Sequence, residues 1–276
     1  MYPSWRSDVK YRLRVSTIPF EMSCEMTDTR ADIPSNHTGE FYIDFMSKFS
    51  LRRNIQRYLE IGVNRGLLLA RISTETAVAV DPAFQIVCNI SANKKIIFMY
   101  QITSDAFFKD IDAISSLGGS PDISFLDGMH LFEFLLRDFY NTESICDPSS
   151  IIIMHDCLPL NEGMAHRDFG VALKLNENTP FHGYWTGDVW KLVPILQHYR
   201  PDLRLTYVDC PPTGLVCVSG LNNKSTILRD KYYEIVDKFN NIPNNIESIA
   251  AMYKSINLTR SEALLRGFDH SLYFMA

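Results

Sequence analysis

Tyr58-Leu59-Glu60-Ile61-Gly62-Val63-Asn64-Arg65-Gly66-Leu67, followed by Ala77-Val78-Ala79-Val80-Asp81-Pro82, is the stretch that decides the fold. An apolar strand runs into an acid, then into a glycine-spaced turn. A second apolar strand then ends in Asp81. Glycines at such a turn let backbone approach a ligand, and an acid closing the second strand can accept ribose hydroxyls. The pattern is Glu-x-Gly-x-x-x-Gly, without the GxGxxG of dinucleotide binders. A carboxylate in the turn repels a pyrophosphate and suits a ligand with a cationic end.

Outward from this stretch the chain keeps one rhythm. Residues 39–56 read as a helix with Phe41, Ile43, Phe45, Met46, Phe49 and Leu51 on its apolar face. Strands are expected at 57–61, 77–80, 95–100, 122–126 and 150–154. Helices are expected from Leu67 to Ile72, at 84–92, at 105–116 and from Leu131 to Tyr140. Uniformly apolar strands alternating with helices imply a mostly parallel sheet covered on both faces. Residues 203–208 and 214–218 read as an antiparallel hairpin closing the sheet edge. Residues 158–186 break the rhythm, and long irregular stretches in compact domains are usually functional or mobile. The expected organisation is an N-terminal arm or lid at 1–38, a catalytic domain at 39–225 with a cap at 158–186, and a C-terminal helical extension at 226–276.

In an open parallel sheet, ligands sit beyond the carboxyl ends of the strands. Those ends carry Glu60, Asp81, Ser104 and Asp105, Asp127 and His130, and His155 and Asp156. Any one acid after a strand is most simply a turn or helix cap. Five polar strand ends in succession make a candidate site.

Composition narrows the function classes. The 276 residues are 46% hydrophobic and 21% charged, which is ordinary globular composition. A net charge of −5 without a Lys/Arg-rich run disfavours nucleic acid as a partner. No apolar run is long enough to span a membrane, and the N-terminus lacks the apolar core of a signal peptide. The six cysteines form no CxxC pair and fit buried, reduced thiols of a cytoplasmic protein. A homo-oligomer is compatible with all of this.

The motifs Leu-Glu-Ile-Gly-Val-x-x-Gly, Val-Asp-Pro, Ile-Ser-Phe-Leu-Asp-Gly-Met-His and Ile-Ile-Ile-Met-His-Asp resemble those of class I methyltransferases dependent on S-adenosylmethionine (SAM). The likeness covers about residues 55–220 and is greatest to the subgroup called methyltransferase domain 24. It implies a Rossmann-like seven-stranded sheet with one antiparallel strand near an edge. It also implies Glu60, Gly62 and Gly66 around the methionine end of SAM, Asp81 on the ribose, and Ser104 and Asp105 near the adenine, with Asp127 beside the cofactor.

The chain is also similar to metal-dependent catechol-type O-methyltransferases. That likeness puts Asp127 and Asp156 at two positions for Mg²⁺ or another divalent cation, and His130 at the position of the catalytic base. Cys157 stands where an Asn ligand is usual, and a thiol is a poor ligand for a hard cation. His155 is the second candidate for the base, ahead of His166 and His182. The implied activity is O-methylation of a small acceptor, such as a sugar or phenol. Phe169, Phe181, Tyr184, Trp185 and Trp190 fit a ring-shaped acceptor or simply close a core. N-methylation, and a Rossmann-like binding protein or hydroxylase-like enzyme, are the alternatives.

Overall fold

The computed structural model describes residues 32–266 and 273–274. Five parallel strands carry the sheet's first half: β1 (Arg57–Ile61), β2 (Thr76–Val80), β3 (Ile96–Tyr100), β4 (Ile123–Leu126) and β5 (Ile151–His155). The hairpin β6 (Arg204–Val208) and β7 (Leu215–Ser219) follows, and β8 is the short Leu258–Thr259. The order is β3-β2-β1-β4-β5-β7-β6-β8. β7 is antiparallel to both β5 and β6, while β8 runs parallel to β6. This is the expected Rossmann-like sandwich, mostly parallel, with β7 the one antiparallel strand near an edge. It differs in one respect: the C-terminal extension adds an eighth strand at the outer edge.

Ten α-helices flank the sheet among the described residues. They are α1 (Tyr42–Arg53), α2 (Ser104–Asp110), α3 (Ala113–Leu117), α4 (Phe132–Glu143), α5 (Phe169–Leu175), α6 (Leu192–Tyr199), α7 (Ile227–Asp230), α8 (Tyr232–Asn240), α9 (Ile246–Lys254) and α10 (Ser261–Arg266). Alternate strand residues feed two cores. Leu59, Ile61, Val78 and Ile152 pack with Phe132, Phe139 and Trp190 on one face. Tyr58, Ala77, Phe125 and Ile153 pack with Phe45 and Phe49 of α1 on the other. Burial of β1, β2, β4 and β5 on both faces explains their largely apolar composition, to which the buried Glu60 and Ser124 are exceptions.

Three expected helices differ. Between β1 and β2 only a 3₁₀ turn forms, at Leu69–Arg71, with Leu68, Leu69 and Ile72 buried around it. Residues 84–92 are not helical. The amides of Gln85 and Val87 donate instead to the carbonyls of Asn64 and Arg65, a ladder that competes with a helix. The helix expected at 105–116 is two helices, because the Asp112 side chain accepts from the Ser115 amide and starts a second one. The cap at 158–186 contains α5, opened by Asp168 accepting from the Val171 amide. Most of the N-terminal arm and part of the last segment lie outside the described residues. No helix among the described residues is long and apolar enough to cross a membrane.

Candidate functional site

The glycine turn after β1 is shaped by two contacts. Gly62 has φ +85°, and a Cβ there would collide with the Asp127 carbonyl, so only glycine lets the β1 end lie against the β4 end. Gly66, at φ +74°, faces the side chains of Ile86 and Ile90 from the loop after β2. Asp81 ties this turn to its own strand. Its Oδ2 accepts from the Asn64 amide at 2.7 Å and its Oδ1 from the Ala83 amide at 2.7 Å. The capping role of a strand-end acid is therefore realised. A carboxylate oxygen carries a second lone pair, so ribose hydroxyls can still be accepted.

Glu60 is buried on the α1 side of the sheet and accepts from the Tyr58 hydroxyl at 2.8 Å. Burial pushes its carboxyl up to about 8, and the neighbouring Asp127 and Asp81 charges add to this. The Tyr58 hydrogen bond and Lys94 oppose it. Lys94 spends its ammonium on the carbonyls of Ile72 and Ala92. The methionine end of the expected cofactor site is thus rich in carboxylates and poor in cations.

The β3 end carries a contact that the sequence reading did not include. Both Asp105 carboxylate oxygens are held by Arg137 of α4 at 2.8 Å, which ties α2 to α4. Ser104 lies beside Asp138, a buried carboxyl that burial pushes up to about 7. Asp138 was not singled out in the sequence, because it sits inside a helix pattern and follows no strand.

At the ends of β4 and β5 four expected residues converge. Asp127 Oδ1 lies 3.2 Å from His155 Nδ1 and 3.6 Å from His130 Nε2. Asp156 Oδ2 lies 3.3 Å from His155 Nδ1 and 3.2 Å from His130 Nε2. Oxygen and nitrogen therefore alternate around a closed ring of four atoms. Asp156 occupies φ +60°, a conformation that Asp tolerates better than most residues. Burial alone would raise the Asp127 carboxyl, but His155 and His130 hold it well below the usual carboxylate range. Burial alone would lower both imidazoles, but Asp156 and Asp127 lift His130 to about 9 and His155 to about 10.

Each imidazole is fixed from behind. His130 Nδ1 lies 2.8 Å from the Trp185 carbonyl, which can only accept, so this nitrogen carries the proton. The Trp185 ring stacks on His130 with centroids 4.7 Å apart. Gly187, at φ +55°, leaves no room for a Cβ beside the His130 carbonyl. Next to it, the wholly buried Asp188 accepts from the Phe132 amide at the start of α4 and is paired with Arg167 and Lys191. The cap is thereby clamped onto the loop that bears His130. His155 Nε2 lies 3.3 Å from the Thr213 hydroxyl, and its ring lies 4.2 Å from that of Tyr42. Burial, then Asp127, Asp156 and Glu60, raise the Tyr42 phenol.

Trp185 was legible only as a cap aromatic. Tyr42, Thr213 and Asp188 carried no signal in the sequence. Phe169 packs on Trp185 at 5.4 Å, whereas Trp190 is core, with its indole N–H donating to Asn244. His166 is turned away from the ring, with Nδ1 against the backbone of Asp168.

Asp127, His130 and Asp156 present ligand atoms within 4.8 Å of one another. Cys157 does not contribute. It is buried and its thiol, pushed up by burial, donates to the His155 carbonyl at 3.3 Å. Octahedral coordination at ~2.1 Å separates neighbouring donors by about 3.0 Å, and tetrahedral coordination by about 3.4 Å. Within this group of three, His130 lies 3.6 and 3.2 Å from the two carboxylate oxygens, so these residues could hold a divalent cation.

No protein-family model and no curated protein matches the chain. Among solved structures, cofactor-bound Rv0187 from MTB is similar at 11% identity and TM-score 0.46, over 70% of this chain and 85% of that one. The SAH-bound methyltransferase PaMTH1 of Podospora anserina is similar at 14% identity and TM-score 0.42, over 64% of this chain and 76% of that one. The O-methyltransferase TomG of Streptomyces achromogenes, in complex with SAM, is similar at 14% identity and TM-score 0.42, over 64% and 79%. At so low an identity and TM-score these likenesses assign neither ligand nor activity to this chain.

Proposed function

We propose that the chain is a SAM-dependent methyltransferase that methylates a hydroxyl of a small acceptor, such as a sugar or a phenol. One observation carries the reading. The end of β1 and the turn after it gather Glu60 and Asp81 beside Asp127, and burial pushes Glu60 up to about 8 although Lys94 partly opposes it. A ligand bringing its own positive charge supplies further relief. SAM carries an ammonium and a sulfonium and no phosphate. In this reading Glu60, Gly62 and Gly66 surround the methionine end, Asp81 takes the ribose, and the loops bearing Ser104 and Asp127 flank the adenosine.

The acceptor end is the ring of Asp127, His130, Asp156 and His155, which lies next along the sheet. Methyl transfer is an in-line displacement, and the protein's work is alignment and proton removal. His130 is the more open of the two imidazoles, at 22% against 7% for His155. To accept a proton it must first be free of the one that the two carboxylates hold on it. A divalent cation held by Asp127 and Asp156 would favour that state and would lower the pKa of an acceptor hydroxyl.

Calorimetry with SAM and S-adenosylhomocysteine tests the cofactor half, and transfer of a labelled methyl group to a panel of sugars and phenols tests the acceptor half. Saturable binding of both nucleosides is expected. Binding of neither overturns the reading. The two-His, two-Asp ring is also the observation that favours a hydroxylase-like enzyme on the same sheet. Substrate-dependent oxygen consumption without methyl transfer would select that alternative.

A further inference from the structure

The two edges of the sheet are guarded unequally. β8, at one end, is two residues long, and so short an edge strand offers little for another chain to pair with. β3, at the other end, is Ile96-Ile97-Phe98-Met99-Tyr100, with neither a charge nor a proline. Among the described residues no strand pairs with its outer side. Ile96, Phe98 and Met99 are 49%, 38% and 43% exposed. The charges just before the strand do not guard it: Lys95 is paired with Glu75, and Lys94 is turned onto the carbonyls of Ile72 and Ala92. The outward backbone groups follow from the inward ones. The Ile96 amide donates to the Glu75 carbonyl, and the Tyr100 carbonyl accepts from the Asp81 amide, so both residues turn their backbone to β2. Alternation puts Phe98 on that side as well and leaves the N–H and C=O of Ile97 and Met99 facing outward.

We propose that β3 pairs antiparallel with β3 of a second copy of this chain, about a two-fold axis at Phe98, so that one sheet runs through both copies. Antiparallel pairing exchanges hydrogen bonds between outward-facing residues, so Ile97 of each copy stands opposite Met99 of the other. A two-fold interface must be self-complementary in this way. Phe98 then meets its own counterpart as a non-hydrogen-bonded pair, where side chains lie closest, and Ile96 meets Tyr100 on the same face. Two other two-fold registers use the outward groups. Centring on Ile97 sets Met99 against Lys95, and centring on Met99 sets Ile97 against Gln101. Only centring on Phe98 keeps all five apolar residues opposite one another, and it places Lys95 against the neutral Gln101, so no like charges meet. Ile114 of α3, 43% exposed, lies one turn from Ser116, whose hydroxyl is 2.8 Å from that of Tyr100, and widens the apolar face. Side chains exposed to this degree, with the outer backbone edge, present roughly 500 Å² per copy and on the order of 1,000 Å² for the pair, the lower limit for a specific interface. Each chain has one such edge, so pairing uses up both and the assembly closes as a dimer. The pairing holds whether or not the chain binds SAM.

Sedimentation equilibrium of the full chain, from ~1 to ~100 μM, measures the association. A monomer–dimer equilibrium is expected, and hydrogen exchange of residues 96–100 should slow as the dimer fills. Met99 belongs to neither core, and Met99→Lys puts on the strand the charge that guarded edges carry. It should weaken the dimer at least about tenfold, with circular dichroism confirming that the variant folds. Phe98→Cys tests the register, because this position meets its own counterpart across the axis within disulfide reach. Mild oxidation should give a covalent dimer for Phe98→Cys and none for Met99→Cys, whose position faces Ile97, with the parent chain as the control for the native thiols. A chain that stays monomeric at ~100 μM, a dimer indifferent to Met99→Lys, or cross-linking of Met99→Cys in preference to Phe98→Cys overturns the proposal. A monomer whose residues 96–100 are already protected from exchange overturns it in favour of another segment of the same chain on this edge.

Discussion

Two groups of acids sit at neighbouring strand ends and solve the same electrostatic problem differently. At the ends of β4 and β5, Asp127 and Asp156 are matched within the chain by His130 and His155. At the ends of β1 and β2, Glu60 and Asp81 have backbone amides, a tyrosine hydroxyl and a distracted lysine. The first group is electrically complete with its own histidines. The second leaves Glu60 with a carboxyl pushed up to about 8 by burial. A site that must receive an external cation is best left short of one, because an internal ion pair would have to be broken on binding. The contrast assigns different work to acids that look alike in the sequence.

The strongest test of the completed group is Asp156→Asn. Asn tolerates φ +60° nearly as well as Asp, so the backbone is kept and only the charge is removed. Two buried imidazoles then share a single carboxylate. Breaking a buried charge pair by removing one partner costs ~3–5 kcal/mol, and Asn, which still accepts a hydrogen bond, should fall at the lower end. Urea denaturation at neutral pH measures this. A loss under ~1 kcal/mol, the range of exposed pairs, would mean that the ring is not a charge-matched unit.

Asp81→Ala tests the other group. It removes two charge-assisted bonds to the amides of Asn64 and Ala83, each worth ~1.5–3 kcal/mol. The glycine turn should loosen, and SAM affinity should fall at least about tenfold, in keeping with the loss of one such bond. Unchanged affinity by calorimetry would show that Asp81 only braces the turn.

Glu60→Gln sharpens the comparison through pH. In the folded protein Glu60 keeps its proton up to about 8, whereas the unfolded chain releases it near 4.5. The native state binds more protons in this window, so unfolding free energy falls as pH rises. The contribution is present in full below pH 4.5 and is lost by about pH 8, with a slope of at most ~1.4 kcal/mol per pH unit. Gln, neutral at every pH, should flatten that slope and raise the melting temperature at pH 8 without ligand. Parallel pH profiles for the two proteins would remove Glu60 as the strained acid.

How legible this was in the sequence differs between the two groups. Gly62, Asp81, Asp127, His130, His155 and Asp156 stand at or just past the ends of apolar strands, Glu60 lies one residue inside the end of β1, and an apolar run that stops at a polar residue is a local signal. The sheet was legible for the same reason, since strands buried on both faces are written as largely apolar runs. The helices around the glycine turn were not, because backbone pairing of Gln85 and Val87 with the turn competes with helix formation and leaves no mark on side-chain periodicity. The supports of the ring were illegible for a further reason. Trp185 acts through its backbone carbonyl, and Tyr42 and Thr213 come from segments far from β5 in the chain. That Asp105 also braces α2 against α4 was illegible, because it depends on Arg137 one helix away.

The smallest expected effect belongs to Thr213→Val, and it probes whether the completed group depends on its outer contacts. The hydroxyl lies 3.3 Å from His155 Nε2 on a residue that is 1% exposed. Val keeps the shape of Thr and removes the only polar atom of its side chain. A hydrogen bond to a charged group contributes ~1.5–3 kcal/mol, and at 3.3 Å this one should fall at or below the lower end. The more telling readout is the ring itself. If His155 is held by Asp127 and Asp156 alone, its imidazole resonance titrates in the variant as in the parent. If Thr213 holds the ring from behind, the variant lets the His155 imidazolium reorient against the carboxylates. Nitrogen chemical shifts of His155 then move while those of His130, anchored by Trp185, stay in place. Equal shifts at both histidines would show that they respond as one unit and that the separate anchors behind them do not matter.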